Sequence, residues 1–516
     1  TICGNYNSTA AGAGVRATKS KIIMSGGAIS GNVAGSSDSN KNGGGVYLSG
    51  DGSSFDMSGN AKITDNTAKG LGGGVSMTGG AGGKVSFTMS GNAKITGNMC
   101  TGSACGGAGL YASDGEFTMN DNAAISGNCS LETRGYGGGV FVSKSATFTM
   151  NGSATISGNS AYVASMDNYR KNSGGGVQVL GTFIMNGGSI SDNMAENGAG
   201  VYVGLSGSIP GTFTMNGGTI TNNKVIGGNG GGVYVLGNFR IANGASVKAN
   251  LCDSKANNVY LSDGKTIEIT RKLTDANNVG VTVENLPTEI NNPVTVASGD
   301  GTYTVDDSDE KAFFADADGY NVYYDKGELK LYNGTFHKHK VCVDTNCENC
   351  SHDSVIWEPI SNEKDLRGID TSKGKYYYLT DDITLTGNSP WCPENDVVLD
   401  LCGNSIIGCA GEPVIYLANY GTFKLTDCKG SKGTYGKITH AEGESGAGIE
   451  LKDNAQFHFY GGSISGNRSN TDGGGAYVDS GKLYMYGGEI VDNYTSRNGG
   501  GVCLMNNSKF NMYGGR

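Results

Sequence analysis

At 516 residues the chain is too long for one compact core, and with 89 Gly, only 7 Pro and Leu scarce beside Ile, Val, Tyr and Thr it lacks good helix formers. A formal charge of −10, from 38 basic and 48 acidic residues, disfavours an electrostatic hold on nucleic acid or anionic lipid. No apolar run is long enough to span a bilayer, so direct membrane insertion is not expected.

Residues 1–252 repeat two phrases. Residues 57–66 read MSGNAKITDN, 89–98 MSGNAKITGN, 119–128 MNDNAAISGN and 150–159 MNGSATISGN, and a nine-residue variant starts at Met24, Met185 and Met215. Gly-Gly-Gly-Val-Tyr-Val or a relative precedes each, as at Gly43, Gly137, Gly174 and Gly230. A spacing of about 26 to 35 residues is that of a solenoid turn. Each period holds three short runs, V-Y-V, F-T-M and S-I-S, that alternate with period 2 between Gly or Asn corners. The expectation is an all-β fold, a right-handed parallel β-helix with three strands and one variable corner per turn, about eight turns in this segment.

Within such a coil the recurrent residues fall in columns. Asn32, Asn66, Asn98, Asn128, Asn159, Asn193 and Asn223, with Asn467 and Asn493 further on, are expected to stack as an internal ladder of amides. Phe55, Phe87, Phe117, Phe148, Phe183, Phe213 and Phe239 form a core stack with Met two positions on, a packing column and not a cofactor site.

The phrases stop near Val259. Residues 253–333 hold plainer alternating strands and are expected to form a small β cap over the open last turn. Residues 334–372 are a Cys/His-rich linker or opening segment, and 373–516 are a second parallel β-helix that begins with YYYLTDDITL and VVLDLCGNSIIG and resumes the phrase at Phe459. The phrases GGGVYV, GTFTMNGGTITNN and FYGGSISGN, with the KITH and VVLDLCGNSI openings, resemble the repeats of large bacterial surface proteins, the polymorphic outer-membrane-protein-like and autotransporter-adhesin-like β-helices. That resemblance implies a secreted or cell-surface rod and no particular reaction.

The two ends read as halves of one phrase. Met512, Gly514, Gly515 and Arg516, followed by Thr1, Ile2 and Asn5, give MYGGRTICGN in the ten-residue register. Continuation from head to tail is expected, as a tandem array or by end-to-end stacking of copies.

The densest chemical constellation is His337, His339, Cys342, Cys347, Cys350 and His352. The two-residue spacing of Cys347 and Cys350 matches a metal knuckle and could hold a structural zinc; disulfides with bystander His fit as well. Thirteen Cys, an odd number, otherwise sit singly along the repeats. An oxidising compartment with several disulfides is expected, among Cys392, Cys402, Cys409 and Cys428, and between Cys100 and Cys105 or Cys129. Asp381 and Asp382 are adjacent in a strand and point to opposite faces, so no catalytic carboxylate pair emerges. The expected function is thus a non-catalytic extracellular fibre unit. The alternatives are an adhesin that binds glycans or host surface proteins through its corner loops, and a polysaccharide lyase or glycoside hydrolase.

Overall fold

The computed structural model describes residues 1–35, 41–79, 84–102, 105–131, 135–161, 172–288, 292–334, 337–340, 354–370, 375–429 and 434–516, with the backbone alone at 337–340 and 354–356. The described residues form a β-solenoid of about 15 turns, in two units, Thr1–Thr335 and Phe336–Arg516. Helix is confined among them to Glu363–Arg367 and a short 3-10 turn, Asp309–Ala312.

One turn of the first unit shows how the sequence coils. Val46–Ser49, Ser54–Met57 and Lys62–Thr64 are strands in which Val46, Leu48, Phe55, Met57 and Ile63 are fully buried, while Tyr47, Asp56 and Thr64 between them reach the surface. Each strand pairs in parallel with its counterpart one turn on: Val46 with Val75, Phe55 with Phe87, Ile63 with Ile95. The like-on-like register stacks the Phe rings at 4.5 to 5.1 Å between centroids from Phe55 to Phe239. A fourth strand, which the period-2 pattern is too short to show, follows the Asn corner. Thr67–Ala68 pairs with Val33–Ala34 on one side and Met99–Cys100 on the other.

Two backbone demands explain the punctuation. In the Gly triplet 43–45, Gly43 has φ +69°, and a Cβ on Gly45 would stand 2.6 Å from the carbonyl oxygen of Gly74 one turn away. From Asn32 to Asn250, and at Asn467 and Asn493, the residue before the ladder Asn is also left-handed: Asp65, Asp192, Asn222, Ala249 and Asp492 all have φ +57°, and Gly fills the position elsewhere. Asp and Asn tolerate this region better than other side-chain-bearing residues, which is why the phrase ends in G-N, D-N or N-N.

The phrases stop near Val259, but the coil continues. Val259–Leu261 pairs in parallel with Val233–Val235, Ile267–Leu273 with Asn238–Asn243, and Val279–Val283 with Val259–Leu261. Farther on, direction reverses where Glu328–Asn333 lies antiparallel to both Val294–Gly299 and Tyr320–Asp325. Leu329 and Leu331 of that strand are fully buried in the same core as the coil. Parallel pairing needs alternating apolar residues, which IEI and VGVTV supply, and no Asn or Gly phrase.

In the second unit Tyr376–Leu379, Val397–Asp400, Thr422–Thr426, Gln456–Phe459, Lys482–Met485 and Lys509–Met512 stack in parallel. Ser354–Ile360 pairs in parallel with Tyr376–Leu379 through Glu358, Pro359 and Ile360, and antiparallel with His337–Lys340 through residues 354–357.

Candidate functional site: an inner amide ladder and an outer aromatic groove

The Asn corners form a directional chain of hydrogen bonds. From Asn32 to Asn250, each Asn donates its backbone N–H and its Nδ2 to the Oδ1 of the Asn one turn on, at 2.8 to 3.0 Å. Nδ2 spends its second hydrogen on backbone carbonyls such as Ile29 and Ile63. Buried amides are thereby satisfied on both sides, and the repeated side chain acts as a structural link.

The ladder is longer than the repeated phrase indicates. Asn5 donates to Asn32, and Asn250, in the divergent SVKAN, carries the chain to Asn258. Asn258 then donates to both oxygens of Asp316, at 2.5 and 2.6 Å. A carboxylate only accepts, so it ends a chain of donors. Burial pushes the Asp316 carboxyl up, while donors from Asn258 and Thr282 pull it back. In the second unit His440 stands at the corner one turn before Asn467. Its Nδ1 lies 2.8 Å from Asn467 Oδ1, and Asn467 donates on to Asn493.

The outer face is ordered too. The central residue of the V-Y-V strand points outward and stacks in register along the coil: Arg16, Tyr47, Ser76, Tyr111, Phe141, Gln178, Tyr202, Tyr234 and Tyr260. Tyr111 and Phe141 lie 5.3 Å apart, Tyr202 and Tyr234 5.1 Å, Tyr234 and Tyr260 4.9 Å. Gln178 interrupts this row, and around it opens a groove of about 610 Å³. Its floor is Phe141, Gln178, Tyr202 and Tyr234. Tyr136, Ser173 and Asn197 form one wall, and Leu180, Leu205 and Leu236 the other. Leu205 belongs to a small antiparallel hairpin, Leu205–Ser206 with Ile209–Pro210, inserted between two strands of the coil. Burial, with Tyr234 and Tyr136 nearby, pushes the Tyr202 hydroxyl up to about 12, so it stays a neutral donor. The signal for this row was present as the central Tyr of each G-G-G-V-Y-V, beneath the more obvious internal columns.

Cys342, Cys347, Cys350 and His352 lie outside the described residues, and at His337 and His339 only the backbone strand is described. Among the described residues no two Cys stand at disulfide distance, a correction to the disulfide expectation. Cys402 and Cys428 stack one turn apart with Sγ atoms at 3.8 Å, and burial with Asp400 alongside pushes the Cys428 thiol up. Cys100 and Cys105 are buried together, and a hydrogen bond to Cys100 with burial raises the Cys105 thiol, holding it protonated. At the two ends, Ile2 pairs with Ile29 and Met512 with Met485, while Arg516 binds Glu489 at 2.7 Å. Gly514 and Gly515 sit against the backbone of the preceding turn, and Thr1 is exposed. No protein-family model matches this chain, and no curated protein does.

Proposed function

We propose that the chain is a non-catalytic structural protein of a cell surface or secreted fibre, a stiff coil continued head to tail by further copies of itself. One observation carries the reading: the side chains repeated in every turn, Asn, Phe, Met and Gly, are consumed in bonding one turn to the next. A reaction would need groups left over at a defined place, whereas these are spent uniformly along the axis. The extracellular setting rests on the resemblance of the phrases to surface-protein repeats.

The polarity of the ladder supports head-to-tail growth. Asn493 has no next Oδ1 among the described residues to receive its backbone N–H, and Asn5 has an Oδ1 that receives no donor among them. Asn493 of one copy and Asn5 of the next therefore match as donor and acceptor. Joined in that order, the ladder runs from the imidazole of His440 to the carboxylate of Asp316.

Negative-stain electron microscopy of the purified chain over a concentration series tests the proposal. Filaments that lengthen with concentration, and shorten when Asn5 is changed to Ala, are expected. Single short particles at every concentration would remove self-assembly from the reading.

A further inference from the structure

We propose that the groove around Gln178 binds an extended, neutral polysaccharide, with its sugar rings packed along the floor of Phe141, Tyr202 and Tyr234 and a hydroxyl meeting the Gln178 amide. The proposal goes beyond the fibre reading, which stands or falls by filament formation alone.

Three features of the groove point to this ligand. First, the floor is an aromatic row with one amide set into it. With adjacent turns ~4.8 Å apart, Phe141 and Tyr202 are separated by two turns, roughly 10 Å, and the Gln178 side chain, 3% exposed, fills the level between them. Aromatic rings on either side of an amide offer a sugar an apolar face beside a hydrogen-bonding edge. The Tyr202–Tyr234 stack, at 5.1 Å, prolongs the platform in the direction of the axis. An extended β-linked chain advances by about one sugar per turn of such a coil.

Second, the floor carries an unspent polar group. Gln178 is 3% exposed, and its Oε1 accepts from Ser173 Oγ at 2.9 Å. Its Nε2 has no hydrogen-bond partner among the described residues, and the side chain lines the groove. One end of the amide is thus fixed by Ser173 and the other is left to an acceptor that enters the groove, such as a sugar hydroxyl.

Third, the chemistry of the walls selects. Among the described residues no charged side chain lines the groove, which leaves uronates, sulfated chains and charged peptides without their usual partners there. Neutral donors and acceptors stand instead beside aromatic faces: Tyr136, Ser173 and Asn197 on one wall and the Tyr202 and Tyr234 hydroxyls on the floor. Opposite them the inserted hairpin presents Leu205, 43% exposed. A proline-rich peptide, which can use the aromatic rings and offer a carbonyl to the amide, is the competing occupant that the experiment separates from a polysaccharide.

Affinity electrophoresis in native gels containing xylan, galactomannan or mixed-linkage β-glucan reads the prediction directly, with polygalacturonate and a proline-rich peptide as competing probes. At least one neutral polymer should retard the intact chain. Gln178→Leu and Tyr202→Ala should each raise the apparent dissociation constant about tenfold, the equivalent of one lost hydrogen bond or stacking contact. Thr118→Ala, on another outward column, should change nothing. Leu205→Ser, on the exposed hairpin, leaves the coil intact and should also weaken binding, so the result does not hinge on how the first two variants fold. Absence of retardation in every neutral gel would overturn the site. So would retardation unchanged by all three groove variants, or binding confined to polygalacturonate or to the peptide.

Discussion

Between Asn32 and Asn250 every turn of the first unit offers its neighbours the same side chains, whereas the opening turns of the second unit offer different ones at each level. In the first, one Asn meets the next through the same two bonds. In the second, Asn404 caps the carbonyl of Leu379, Asp382 accepts from the N–H of Ser405, and Asp427 accepts from the N–H groups of Gly403 and Gly436. Trp391 packs edge-on against Phe423 where the first unit would stack Phe on Phe. Uniform turns make stability a sum of like nearest-neighbour terms, so any one turn can be copied or deleted. Individual contacts instead define a single level at which the coil starts. Both tryptophans, Trp357 and Trp391, lie in the second unit and are buried, so their fluorescence reports on that unit alone.

The first unit should lose most from a change at the middle of its ladder. Asn159→Ala leaves the buried N–H of Asn128 and the carbonyl of Ile125 without their partners, since Asn159 serves both. At roughly 1 to 3 kcal/mol for each buried group, the expected loss is about 4 kcal/mol. Far-UV circular dichroism in denaturant should show the loss in the first unit while tryptophan fluorescence keeps its midpoint. A loss under about 1 kcal/mol would mean that Phe stacking, and not the amides, holds the turns together.

A single residue in the second unit should matter nearly as much. Asp427→Ala strips the acceptor from Gly403 N–H at 2.8 Å and from Gly436 N–H at 2.7 Å, at an expected cost of about 3 kcal/mol, because a carboxylate accepts more strongly than an amide. Here the tryptophan signal should move. An unchanged fluorescence midpoint would show that the opening turns do not depend on this contact.

Ala249 is a test on a smaller scale. It precedes a ladder Asn, as Asp65 and Gly158 do, and has φ +57°, where an alanine is strained. Ala249→Gly should stabilise the first unit by about 1 kcal/mol, and Gly158→Ala, at φ +63° with no close neighbour, should cost about as much. Equal and opposite shifts in the denaturation midpoint would identify the left-handed corner, and not packing, as what the phrase encodes.

The same corners show how far the sequence could be read. Asn66, Asn98 and Phe87 stood out because repetition marks them, and stacked parallel strands follow from the alternation in V-Y-V and F-T-M. What escaped was set by partners, not by pattern. Asn250 lay in a phrase too divergent to align, and Asp316 meets Asn258 from 58 residues away. The two-residue strand at Thr67–Ala68 is too short for a period, and the parallel strands after Val259 carry no Asn phrase to announce them. Gln178 was hidden for the opposite reason, as one departure from a column whose outward direction appears only once the coil is wound. The disulfide expectation rested on Cys number and spacing, neither of which brings two Sγ atoms to bonding distance.

The smallest effect, and one specific to the second unit, should be a dependence on pH. His458 stands on the outer face, stacked on Tyr484 at 4.7 Å, with Tyr460 and Tyr486 beside it and Lys424 one turn before. Burial, and then the Lys424 charge, push its imidazole down to about 4. Near its ordinary value of 6.5 the unfolded chain takes up the proton that the folded one refuses. The stabilisation is therefore full above about pH 6.5 and is lost as pH falls toward 4, where both states become protonated. The fluorescence midpoint should fall across that window, and His458→Phe, which keeps a ring over Tyr484, should flatten the part of the slope that His458 causes. If the slope survives the substitution whole, the proton is taken up elsewhere in the unit and the aromatic stack on this face is indifferent to charge.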